Sequence, residues 1–158
     1  MFGLTTASAH AILALSCLEQ ADDRWVLARD LAACIGAPLP YLSKILNRLV
    51  GGGVVEAKRG YRGGFRLARP ADRLTVAEIV AAVEGPDFLT GCILGLTTCS
   101  EERVCPLHGF WKQERQRIAE QLEQLHLGAV SAFEQQAGRG FNRCSVDLAA
   151  VLEKGKAP

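Results

Sequence analysis

Apolar residues in the first half of the chain recur at helical spacing, and turn formers interrupt them at regular places. Ala11, Ile12, Leu15 and Leu18 step by three and four, which predicts one buried stripe on a helix capped by Thr5 or Thr6 and running to about Glu19. Asp22, Asp23 and Arg24 read as a turn. Leu27, Leu31 and Ile35 predict a short second helix over about 28–34, closed by Gly36. Pro38 and Pro40 open a third at its first turn, where proline is tolerated. That helix runs to about Val50 with Leu42, Ile45, Leu46 and Leu49 inward. Gly51, Gly52 and Gly53 break it. Val54, Val55 and Ala57 then read as a strand, 58–64 as a glycine-rich turn, and Phe65, Leu67 and Ala68 as the returning strand. Thr75 caps a fourth helix to about Val83, ended by Gly85 and Pro86.

Beyond it, over about 87–106, neither period persists. An unpatterned stretch of roughly 20 residues is uncommon in a compact domain and usually functional; this one holds Cys92, Cys99 and Cys105. Helical spacing returns at about 107–125, where Phe110, Trp111, Ile118, Leu122 and Leu125 share a face. A short helix over about 127–135 follows. The tail after Gly138 is expected to be loose, with one helical turn around 146–152.

The order of elements is that of a mainly α protein with a small β-hairpin: two short helices joined by a tight turn, then a basic hairpin, a winged helix-turn-helix. Charge sharpens the picture. The 158 residues are 49% apolar, enough for a core, and carry a net charge of only +1. Between Tyr41 and Arg73, however, eight Lys/Arg face only Glu56 and Asp72, so the rest of the chain is net acidic. A basic patch on an acidic chain is the footprint of a phosphate-binding face. The third helix would lie in the major groove and present Tyr41, Ser43, Lys44, Asn47 and Arg48. Asn47 and Arg48 suit adenine and guanine edges, and Lys44 suits phosphate. At the wing, Lys58, Arg59 and Arg62 flank glycines that let the backbone approach DNA closely, and the negative minor groove favours arginine. No stretch approaches the ~18 apolar residues of a membrane span. The apolar start has no Lys or Arg before Arg24, so it is expected to be a mature first helix of a cytoplasmic protein. No nucleophile–base set or phosphate cradle points to an enzyme.

In a reducing cytosol the six cysteines are expected to be ligands, redox thiols or core residues. Cys17 and Cys34 sit among apolar helix positions and read as buried core; Cys144 in the tail has no assigned role. The loop spacing, Cys92-x6-Cys99-x5-Cys105, lacks the paired C-x2-C knuckles of a structural zinc site. Three thiolates on a flexible segment suit an iron–sulfur cluster. A fourth ligand then has to be another group. His108, two residues past Cys105 and Pro106, is the nearest candidate; His10 of a partner subunit is a second.

Taken together, these motifs resemble the bacterial iron–sulfur transcription regulators of the IscR/NsrR type, the Rrf2 family. The resemblance runs from about Leu4 to Gln135. It rests on Leu4-Thr5, Tyr41-Leu42 with Leu46 and Arg48-Leu49, the wing Arg59-Gly60-x-x-Gly63-Gly64-Phe65, Thr75-Val76-Ala77-Glu78-Ile79, Val83-Glu84-Gly85, and the three cysteines with Cys105-Pro-x-His108 and Trp111. It implies a homodimer built on the long helix, a palindromic double-stranded operator, and a cluster whose state switches DNA affinity. It also implies Cys92, Cys99 and Cys105 as ligands, with His108 or a group from the partner's first helix completing the set. The first cysteine gap is six residues where five is common, so 2Fe-2S and 4Fe-4S both stay open. The organisation expected is a DNA-binding domain over 1–85, a cofactor loop over 86–106, dimerisation helices over 107–137 and a flexible tail over 138–158. Two alternatives stand beside it: a cluster-free regulator that senses by thiol oxidation or zinc, and an adaptor that binds proteins rather than DNA.

Overall fold

The computed structural model describes residues 4–95 and 105–136. Helix α1 (Thr6–Gln20) starts where Thr5 turns its side-chain oxygen back to the Ser8 amide. Helix α2 (Ala28–Ile35) ends at Gly36, whose φ of 68° is the left-handed conformation that glycine adopts without strain. Helix α3 (Leu39–Gly51) follows, with proline in its first turn. Strands β1 (Val55–Lys58) and β2 (Gly64–Leu67) pair antiparallel, Val55 opposite Leu67 and Lys58 opposite Gly64. A 3-10 turn (Ala71–Arg73) leads into α4 (Val76–Glu84), which opens with a reciprocal capping box between Thr75 and Glu78. Helices α5 (His108–Gln124) and α6 (Leu127–Gln136) complete the described chain.

The elements match the expected mainly helical fold with a hairpin wing. Their apolar stripes converge in one core, where Leu15, Leu31, Leu42, Leu46, Leu49, Ile79 and Leu127 are fully buried. Two pairings tie distant segments to it. Val26 exchanges backbone hydrogen bonds with Phe65 (2.9 and 2.8 Å), so the segment before α2 acts as a third strand of the wing. A side chain at Gly64 would run into the Val26 backbone, so this close approach requires glycine there. Leu74 accepts from the Leu127 amide and Leu125 from the Val76 amide (both 2.8 Å), which seats α6 in the same core as α1 and α4.

Cys17 and Cys34 are buried, as their apolar surroundings required, but they are also joined to each other across α1 and α2. Burial was legible in the sequence; the pairing depends on how two helices cross and was not. Cys99, Cys144, the tail from residue 138 and the helical turn expected at 146–152 lie outside the described residues. Among the described residues, no helix is long and apolar enough to cross a membrane.

Candidate nucleic-acid interface and cysteine loop

The recognition surface begins with α3. Leu42, Ile45, Leu46 and Leu49 are buried, and this fixes which side chains remain outside. Lys44 and Asn47 are exposed on that outer side. The other three expected residues have local partners. Ser43 donates to the Leu39 carbonyl one turn back (2.8 Å). The Tyr41 ring meets the His10 ring edge-on, with centroids 5.6 Å apart. Arg48 donates to the Val83 carbonyl (2.9 Å) at the end of α4, where the helix dipole favours a cation. Arg48 therefore braces α3 against α4 while the residue as a whole stays exposed.

At the wing, Lys58, Arg59 and Arg62 are all exposed. Arg62 holds a positive φ of 59°, flanked by Gly60 and Gly64 with φ of 91° and 142°. A Cβ at Gly63 would collide with the Lys58 carbonyl, so the tip is narrow because its residues are glycine. Two aromatic residues that periodicity did not single out belong to this surface. Tyr61 stands 86% exposed at the tip, with the Arg62 guanidinium 5.5 Å from its ring. Trp25 lies under the hairpin, its ring 4.6 Å from the Arg66 guanidinium and 5.8 Å from the Lys58 ammonium. The sequence signal for Tyr61 was an aromatic side chain in a turn of glycine and arginine with no apolar neighbour to pack on. Trp25 carried no local signal.

The cysteine loop meets the fold at the first turns of α5. Cys105 accepts a backbone hydrogen bond from His108 (2.9 Å), which sets the cysteine at the helix entrance. At the loop's other end, the Trp111 indole donates to the Gly91 carbonyl (2.8 Å), and Arg115 donates to the Thr90 carbonyl (2.8 Å). The backbone on either side of the loop is therefore gathered on one end of one helix. Cys92 and Cys105 are half-buried free thiols and His108 is buried; among the described residues, however, no three His, Cys, Asp or Glu side chains come together closely enough to hold a metal ion. Cys99 lies outside the described residues. By chemical type these sulfur and imidazole donors are ones an iron–sulfur centre accepts. His10, the other imidazole considered, sits on α1 against Tyr41, and its Nδ1 is buried with no hydrogen-bond partner among the described residues.

Helix α5 leaves much of its apolar face uncovered. Phe110 and Ile118 are 58% and 38% exposed, and Leu125, just past the helix end, is 41% exposed. Beside them a groove of about 570 Å³ runs between α1, α4 and α5, lined by Leu4, Val80, Phe88, Trp111, Ile118 and Leu122 among others.

Comparison with known proteins agrees with this arrangement. The family model for Rrf2, described as iron-dependent transcriptional regulators, matches residues 4–132. The chain is 31% identical over 125 residues to the transcriptional regulator IscR of Xenorhabdus nematophila, covering 78% of this chain and 76% of that one. It is 31% identical over 128 residues to IscR of Photobacterium profundum, covering 80% and 74%. Among solved structures, CymR, the global cysteine regulator of B. subtilis, superposes with a TM-score of 0.70 at 19% identity, covering 85% of this chain and 99% of CymR. A family match over this length, carried by the same helices, wing and loop-bearing helix, shows that the chain belongs to the Rrf2 family of transcriptional regulators.

Proposed function

We propose that this regulator is a cytoplasmic homodimer that binds a palindromic operator through α3 and the wing, with its DNA affinity switched by an iron–sulfur cluster on the cysteine loop. Cys92, Cys99 and Cys105 are the ligands, completed by His108 or by His10 of the partner subunit. The wing's Lys58, Arg59 and Arg62 contact phosphates or the minor groove, while Tyr41, Ser43, Lys44, Asn47 and Arg48 line the major-groove side. The 1–85 region reads DNA, 86–106 holds the cofactor, and the helices of 107–137 join the two subunits.

The observation that carries the sensing half is the anchoring of both loop ends to α5, through Trp111–Gly91 and His108–Cys105. A cluster would supply a redox- and nitric-oxide-reactive inorganic centre whose charge and bonds order the loop. The loop's order would then reach the DNA-binding half through α5 and the α4 surface on which it packs.

The test is the visible spectrum of protein purified without oxygen. Broad charge-transfer absorption that disappears in Cys99→Ala supports the cluster. Colourless protein holding one zinc per chain, or a loop whose thiols oxidise without metal, would replace it with the cluster-free reading; the IscR relatives favour the cluster and the CymR fold match leaves room for thiol sensing. For the DNA half, replacing Arg59 and Arg62 together should weaken binding and lower the salt slope by about one to two contacts. An unchanged slope would remove the wing from the interface.

A further inference from the structure

The helix-turn-helix contains a sulfur pair that neither the wing nor the cysteine loop uses. Cys17 on α1 and Cys34 on α2 are each 1% exposed, and the structure joins them as a disulfide. Their Cα atoms stand 7.3 Å apart. A disulfide restricts the separation of the two Cα atoms to a narrow range, which an open dithiol does not. Opening and closing the bond is therefore coupled to the spacing of α1 and α2.

That spacing bears on α3. Cys34 lies two residues before Gly36, the left-handed residue through which the chain turns toward the third helix. Helix α3 packs on both α1 and α2. Close-packed interiors pass small displacements on rather than absorbing them. A shift between α1 and α2 therefore changes the angle at which α3 presents Lys44 and Asn47.

We propose that Cys17 and Cys34 form a second, reversible dithiol–disulfide centre inside the helix-turn-helix, which closes under peroxide stress and lowers operator affinity. The regulatory part rests on the DNA-binding reading above. In a reducing cytosol the resting form is the dithiol. One sulfur, as thiolate, attacks a peroxide oxygen and becomes a sulfenic acid, releasing hydroxide. The second sulfur then displaces the sulfenic oxygen as water. Two thiols lose two electrons and two protons, and one hydrogen peroxide becomes two waters. A small thiol reverses the step by exchange. Peroxide reaches a pair that is 1% exposed less readily than the half-buried Cys92 and Cys105, so this pair responds at higher oxidant exposure. The loop answers first and the core pair answers to stronger stress.

The test uses the full chain, as wild type and with Cys92, Cys99, Cys105 and Cys144 changed to serine so that only the pair remains. Each is treated with hydrogen peroxide, alkylated, digested and weighed. The expected product is a cross-linked Cys17–Cys34 peptide pair, lighter than the dithiol by two hydrogens and reopened by dithiothreitol. The DNA probe is a duplex selected by the reduced wild type from a random pool. Its affinity should fall about tenfold on oxidation, the scale of one misplaced base contact, while binding to bulk competitor DNA stays unchanged. The reductant should restore it in the four-serine protein, and Cys17→Ala and Cys34→Ala, each placed in that four-serine background, should bind alike in both conditions. Absence of the cross-link at every dose up to one far above that needed to oxidise Cys92 fully overturns the centre. A cross-link with unchanged probe affinity overturns its regulatory role. The wild type cycles between states without substitution, so a poorly folded variant cannot hide the answer. If the wild type selects no duplex in either state, the DNA reading fails and takes the regulatory claim with it, while the cross-link alone still decides the redox couple.

Discussion

The Trp111 indole nitrogen donates to the Gly91 carbonyl over 2.8 Å, so the residue before Cys92 is fastened to the helix that begins just after Cys105. The described residues on the two sides of the cysteine segment are thus both held at the start of α5. Trp111→Phe keeps an aromatic ring and removes only the N–H donor. It is expected to lower stability by about 1 kcal/mol, the net worth of one such bond. On the proposed cluster reading, it should also shorten the lifetime of the cluster's visible absorption in air several-fold, with DNA binding by the cofactor-free protein unchanged. Thermal unfolding and bleaching kinetics measure the two effects, and a chromophore as durable as the wild type's would show that the anchor does not serve the loop.

The wing rests on Trp25, which has the Arg66 guanidinium over its ring while Arg66 also pairs with Glu56 at 2.8 Å. Cation–π contacts at such partly exposed sites contribute about 0.5–1 kcal/mol each. Trp25→Ala should therefore loosen the hairpin and weaken DNA binding several-fold, with Trp25→Phe recovering most of the loss. Amide hydrogen exchange at Phe65, whose backbone pairs with Val26, reports the loosening directly. Equal affinities for the alanine variant and the wild type would show that the wing holds its shape without this platform.

Two glutamates should oppose each other in the pH dependence of folding. Glu78 is held below the ordinary carboxylate range, first by the Thr75 backbone N–H and then, against a smaller effect of burial, by Arg69. Its contribution is present above the ordinary carboxylate pKa and is lost as pH falls through its lowered folded value. Glu134 is raised by burial, with Glu19 adding to the effect and Ser16 opposing it. Its protonated form favours the fold, so that contribution is present at low pH and is lost as pH rises through the raised folded value. At pH 7, Glu134→Gln should raise the melting temperature, while Glu78→Ala should lower it by removing a capping box worth about 1 kcal/mol. Melting curves from pH 3 to 8 check both signs, and a Glu134→Gln protein less stable than wild type at pH 7 contradicts the second.

The parts of this molecule legible in its sequence are those governed by chemistry within a few residues. Thr5, Thr75 and Gly36 mark helix ends because caps are local hydrogen bonds and a local φ requirement, and the structure has them in those roles. The inner face of α3 followed from spacing alone. Partnerships across the chain did not. Nothing near Val26 announces that it pairs with Phe65, and nothing near Leu127 announces that its helix enters the core through Leu74. Arg48 shows a subtler limit. Periodicity assigns it to the outer side of α3, but its long side chain reaches the Val83 carbonyl on the neighbouring helix. At the loop, spacing grouped the cysteines, and the bonds that fasten its ends to α5 come from Trp111 and Arg115, whose role depends on the fold.

The last prediction concerns α5, which buries only His108 among its described residues and leaves Phe110 and Ile118 substantially exposed. Phe110 and Ile118 are eight residues apart, about 80° around the helix, and with the part-buried Trp111 and Leu122 they form one stripe. A second copy of the same helix can cover that stripe, and covering it would contribute about 1.5–3 kcal/mol for each fully buried side chain. Ile118→Glu places a carboxylate in the middle of the stripe on both subunits. Burying an unpaired polar group costs about 1–3 kcal/mol, so with two per dimer self-association should weaken roughly a hundredfold. Gln116→Lys, on the opposite side of α5, should leave it unchanged. Sedimentation over a range of protein concentrations, with circular dichroism to confirm folding, separates the outcomes. A folded Ile118→Glu protein that remains as dimeric as the wild type would place the subunit interface on some other surface.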